Sequence, residues 1–130
     1  GPPAKELSEL KAKGWLGPEV MDFTDELEDF SDTAAFAACM DLVISCDTSM
    51  VHLTGAIGKP VWILSRFNGC WRWLEDREDS PWYPTARLFR QSRIGDWDSV
   101  IDKVQQRLRT FLGDNHLSAL TRNRVSWLST

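Results

Sequence analysis

Long apolar runs are missing from this chain. The most extended, Leu42-Val43-Ile44 and Val61-Trp62-Ile63-Leu64, fall far short of the roughly 20 residues that a membrane-spanning helix needs. The opening Gly1-Pro2-Pro3-Ala4-Lys5-Glu6 has no apolar signal-peptide core, so neither a membrane span nor export is expected. Paired cysteines are missing too. Cys39, Cys46 and Cys70 are odd in number and form no C-x-x-C pair, which argues against a disulfide framework and against a zinc site. A reducing, cytoplasmic setting is the expectation. Basic blocks are also absent: the net charge is -4, the pI is near 5.1, and the charges of both signs are interspersed. Nothing resembles the cationic stripe that neutralises nucleic-acid phosphates, so nucleic-acid binding is not expected.

What is present suits one domain. A chain of 130 residues with 42% hydrophobic content fills a core of ordinary proportions. Seven tryptophans are many for this length, and Trp71, Trp73, Trp82 and Trp97 fall close together. Short apolar runs alternate with amphipathic stretches, the pattern of βα units around a parallel sheet. The fold class expected is therefore α/β, a Rossmann-like three-layer α/β/α arrangement with a short parallel sheet.

Along the chain, the spacing predicts a short helix from Ala4 to about Lys13 closed by Gly14, and a strand from Glu19 to Phe23. Cap residues in Asp29-Phe30-Ser31-Asp32 precede a helix over Thr33 to Met40. Asp41 to Cys46 reads as a buried strand, Met50 to Ile57 as a helix ended by Gly58-Lys59-Pro60, and Val61 to Leu64 as a second strand. An aromatic loop over Phe67 to Thr85 follows, then a short strand from Arg87 to Arg90 and a turn at Gly95. The last helix, from Asp96 or Trp97 to Leu112, carries Trp97, Val100, Ile101, Val104, Leu108 and Phe111 on one stripe that should face the sheet. Residues 1–112 form the domain in this reading, and 113–130 a tail or an extra helix.

Ligands of open parallel sheets sit beyond the carboxyl ends of the strands, where helix amino termini present N–H groups and partial positive charge. Asp47-Thr48-Ser49 is such a turn, and His52 lies one helical turn onward on the same face as Thr48. Thr48, Ser49 and His52 together make a candidate cradle for phosphate oxygens. Asp47 would repel phosphate directly, which leaves it to cap the helix, hold His52 or accept from a hydroxyl. A plain N-cap remains the competing explanation of these residues. Ser49 lacks the G-x-S-x-G elbow of a catalytic nucleophile, and no catalytic residue is assigned. In the loop, Trp71, Arg72, Trp73, Trp82 and Tyr83 are candidate contacts for a sugar or base, with Arg72 and Arg77 as candidate phosphate contacts. The alternative is a loop that packs a small core of its own, with its arginines held in ion pairs.

The stretch Asp41-Leu42-Val43-Ile44-Ser45-Cys46-Asp47-Thr48-Ser49-Met50-Val51-His52-Leu53-Thr54-Gly55-Ala56-Ile57-Gly58-Lys59-Pro60-Val61 resembles the D-L-V-I, D-T, H-L, G-A and G-K-P-V pattern of family 9 glycosyltransferases, the ADP-heptose:lipopolysaccharide heptosyltransferase-like family. Trp71 to Leu74, Ser80 to Thr85 and Arg87 to Gln91 resemble a bacterial branch of it in which such a domain follows tetratricopeptide repeats. The resemblance implies the C-terminal, nucleotide-sugar-binding half of a GT-B enzyme. On that view Asp47, Thr48, Ser49 and His52 face the pyrophosphate of a nucleotide diphosphate sugar. Transfer would be inverting and metal-independent, without a cofactor, and the catalytic base would come from a partner half that this chain lacks. The competing expectation is a non-catalytic interaction module that keeps the fold and binds protein through its tryptophans. A receiver-like signalling domain is disfavoured, because Asp47 is followed by a binding-type turn.

Overall fold

A computed structural model of the chain describes residues 5, 8, 9, 12–14, 21–114 and 126–127. Near the amino terminus, Lys5, Ser8, Glu9 and Ala12 are helical, Lys13 N–H donates to the Glu9 carbonyl at 3.0 Å, and Gly14 has φ +79. That fits a short helix closed by glycine, the only residue that enters this conformation freely. Of the strand expected over Glu19 to Phe23, the first residues lie outside the described set. Met21 to Phe23 are not extended into any sheet.

Helix α1 spans Phe30–Ala38 and is capped by Asp29, whose carboxylate accepts from the N–H groups of Ser31 and Asp32 at 2.7 and 3.0 Å. The expected start at Thr33 is therefore three residues too late. Asp29 takes the cap, and Asp32 falls inside the first turn, where its charge suits the helix dipole. Strand β1 is Val43–Cys46, helix α2 is Ser49–Ala56 and strand β2 is Val61–Ser65. Gly58, at φ +74, turns the chain out of α2 before Pro60. One 3-10 turn at Trp71–Trp73 interrupts the aromatic loop, strand β3 is Ala86–Arg90, and helix α3 is Trp97–Asp114. The chain returns at Ser126–Trp127 as strand β4.

The four strands pair in the order β3-β2-β1-β4, all parallel. Val43 lies opposite Val61, Val61 opposite Ala86, and Val43 opposite Ser126. Side chains alternate between the two faces, as strand geometry requires. Val43, Val61, Ile63, Ala86 and Leu88 point to the face covered by Ala37 of α1 and by Met50 and Val51 of α2. Ile44, Trp62, Leu64 and Phe89 point to the face covered by Val100 and Val104 of α3. Both faces are buried, so the strands read as continuous apolar runs. The result is the three-layer, Rossmann-like α/β arrangement. Within the expected stripe of α3, Trp97 and Ile101 are each 38% exposed. The helix packs over β3 at the sheet edge and keeps only Val100 and Val104 fully covered, with Leu108 and Phe111 packed against them. Among the described residues no helix is long and apolar enough to cross a membrane.

Candidate functional site

Strand β1 ends at Cys46, and the chain turns through Asp47 and Thr48 into α2 beyond the carboxyl end of the sheet. Thr48 is the N-cap residue, extended at φ -133 and ψ 176, yet no side chain bonds the first N–H groups of the helix. This differs from the plain N-cap, in which Asp47 or Thr48 would close those donors. The Thr48 hydroxyl lies 3.4 Å from that of Ser45 instead. The first turn of α2 thus presents N–H donors that no cap satisfies, beside the hydroxyls of Thr48 and Ser49.

Three neighbours fix His52. Its Nδ1 lies 3.1 Å from the Tyr83 hydroxyl. Its ring stacks on Trp73 at 5.2 Å between centroids and 16° between planes, and its Nε2 lies 3.9 Å from Asp47 Oδ1. With Nδ1 engaged by Tyr83, Nε2 is the nitrogen left to face Asp47 and the cleft. Tyr83 reaches this place only because residue 55 is glycine. A Cβ there would stand 2.5 Å from Tyr83 Cγ, well inside van der Waals contact. Gly55 therefore serves the close approach of Tyr83.

Asp47, Thr48, Ser49 and His52 share a shallow open cleft of about 500 Å³ with Arg72. The 3-10 turn at Trp71–Trp73 places Arg72 there. Trp73 is fully buried in the core beneath His52, and Trp82 Nε1 donates to the Arg72 carbonyl at 2.8 Å. The guanidinium of Arg72 donates to Cys70 Sγ at 3.1 Å and lies 5.3 Å from the Trp71 ring centre. The loop packs part of the core through Trp73 and Tyr83, while Trp71 and Trp82 are 73% and 59% exposed. Trp73 touches no ligand space and acts through His52. Arg77 stands apart from this cleft. It makes two hydrogen bonds to Asp79, at 2.7 and 2.6 Å, which raise its own pKa and hold the Asp79 carboxyl below the ordinary range. It is a structural ion pair.

Chemically, the cleft offers backbone N–H groups, two hydroxyls, an imidazole nitrogen and a guanidinium, with a single carboxylate at its rim. Such a donor set has the chemistry that suits an oxyanion. Spacing revealed the turn and His52. The Tyr83 and Trp73 supports carry no local signal, since their relation to His52 arises from the path of the loop.

Among curated proteins, the chain is similar to Protein FlbA of Caulobacter vibrioides, with 36% identity over 109 residues that make up 83% of this chain and 17% of that protein. The chain thus spans about a sixth of the length of the relative it matches. No family model matches the sequence, and no solved structure matches it. These findings overturn the family 9 glycosyltransferase resemblance, and with it the GT-B, heptosyltransferase and nucleotide-sugar-donor assignments, since the named relative is not a glycosyltransferase. Much of the shared lettering has a local structural cause. Gly55 admits Tyr83, Gly58 ends α2 at positive φ, and Val43-Ile44 and Val61 are two-sided core strands, so a βαβ unit of this geometry asks for those residues whatever it binds.

Proposed function

We propose that this domain is a binding module for a small oxyanion-bearing ligand, seated between the amino terminus of α2 and Arg72. One observation carries the reading: the uncapped first turn of α2 opens into the same cleft as Thr48, Ser49, His52 and Arg72. The backbone N–H groups and the hydroxyls of Thr48 and Ser49 hold the anion, and Arg72 supplies the countercharge. His52 donates or accepts through Nε2. Asp47 accepts from a hydroxyl or ammonium elsewhere on the ligand, which favours a ligand that carries a donor beside its anion over a bare polyanion. No bond is made or broken in this role.

The test is an amide NMR titration of the chain with inorganic phosphate and with a hydroxyl-bearing phosphate such as glycerol phosphate. Saturable shifts at Thr48, Ser49, Val51 and Arg72, stronger for the hydroxyl-bearing ligand, are expected. Arg72→Ala should weaken binding by roughly tenfold or more, since a hydrogen bond to a charged group contributes about 1.5 to 3 kcal/mol. Shifts that never appear at tens of millimolar ligand, or that persist unchanged in Arg72→Ala, would rule the assignment out.

A further inference from the structure

A second cleft, of about 510 Å³, lies at the outer edge of the sheet, in the corner between β3, α3 and the segment from Asp76 to Glu78. It shares no residue with the cleft at Asp47 to His52. Five of its lining side chains are cationic and two are carboxylates, a local excess of positive charge in a chain whose net charge is -4. The carboxylates do not discharge it. Glu78 meets only the Nη2 of Arg87, at 2.6 Å, and the Nη2 of Arg90 is taken by the carbonyls of Trp73 and Leu74.

Arg77 is held by Asp79, but other cationic donors of the corner lack partners. The Nε atoms of Arg87 and Arg90 are both buried without a hydrogen-bond acceptor. Buried N–H groups are rarely left so, and a charged one least of all. On the facing wall, Lys103 and Arg107 stand one turn apart on α3, both exposed, and neither meets a carboxylate within ion-pair distance among the described residues. Phe89 supplies an apolar floor, and the Arg87 guanidinium lies 6.0 Å from the Phe89 ring centre.

We infer that this corner binds a small molecule carrying two or more phosphate groups, bridging the α3 pair Lys103 and Arg107 and Arg87 of β3. The volume falls in the range of small-molecule sites. Cations on two separate walls match a ligand with two separated anionic groups, and planar guanidinium groups match phosphate oxygens better than point charges do. The sequence carries no basic block of the kind that follows a nucleic-acid backbone.

The probe is inorganic tripolyphosphate, titrated into the chain and followed by amide NMR. Saturable shifts are expected over Arg87 to Arg90 and Lys103 to Arg107. Affinity should fall at least tenfold in Lys103→Gln/Arg107→Gln, whose side chains are exposed, with an unchanged melting temperature showing that the fold survives. Arg87→Lys keeps the charge but removes the Nε donor, and should still weaken binding severalfold. Arg72→Ala must leave this response intact, which separates the corner from the α2 cleft. The inference fails if tripolyphosphate leaves those amides unmoved at millimolar concentration, if the double variant binds as well as the parent chain, or if a polyglutamate peptide shifts the same amides and tripolyphosphate does not.

Discussion

His52 is oriented by groups distant in sequence, and the tightest constraint among them is Gly55. Placing a methyl group 2.5 Å from Tyr83 Cγ forces the ring away, and overpacking of this kind costs about 1 to 3 kcal/mol. Gly55→Ala should therefore lower stability by that amount in urea titrations, and it should also weaken phosphate binding because His52 loses its partner. Tyr83→Phe is the milder probe. It keeps the ring packed but removes the 3.1 Å contact to His52 Nδ1, and a loss of about 1 kcal/mol is expected. A Tyr83→Phe chain as stable as the parent in the same titration would mean that the ring alone supports His52.

At the scale of elements, α3 is held at its start by Asp96. Its carboxylate accepts from the Ser92 hydroxyl at 2.6 Å and from the Ser99 N–H at 3.2 Å, and these bonds, the Ser92 one foremost, hold its pKa below the ordinary range. For a carboxyl depressed in the folded state, the stability it contributes is fully present above the unfolded value, about 3.9. It is lost as the pH falls through the lower folded value. Asp96→Ala should thus lower the melting temperature near neutral pH, and the gap to the parent chain should close in strong acid. A gap that stays constant down to pH 2 would exclude this linkage. The position of α3 was legible from its 3.6-residue stripe, and β1 and β2 from their apolar runs, because each pattern encodes burial directly. The start of α1 was not legible, since Asp29 and Asp32 both offer cap chemistry, and it is the Asp29 carboxylate that meets the first N–H groups. Asp47, Thr48, Ser49 and His52 were legible as one face. Their support by Trp73 and Tyr83, and the meeting of Arg87 with Lys103 and Arg107, depend on chain paths that no local spacing records.

For the whole molecule, stability rests on a sheet buried on both sides. Ile63 sits on the central strand β2 and is fully buried, so Ile63→Ala should cost about 2 to 5 kcal/mol. A loss below 1 kcal/mol in urea unfolding would show that the sheet face is less tightly packed than the described burial implies. The same two-sided burial explains why the lettering of the βαβ unit misled on family: core strands, a glycine under an aromatic ring and a glycine-proline exit are demanded by packing, and they say little about the ligand.

Strand β4 gives the sheet a temporal asymmetry. The pairings of β1 with β2 and of β2 with β3 join neighbouring segments, whereas Ser126 and Trp127 reach Val43 and Ile44 across most of the chain. Closing that long loop costs more entropy than the other two and, among the described residues, wins back two residues of ladder. A chain emerging from synthesis can therefore complete β1, β2 and β3 before β4 exists, and in the finished molecule the β4 side of β1 is the first to open. In hydrogen exchange, the ladder amides between β1 and β4 should trade protons well ahead of those along β2, the Val43 N–H being held on the β2 side by the Pro60 carbonyl, marking the last seam to close as the first to come undone.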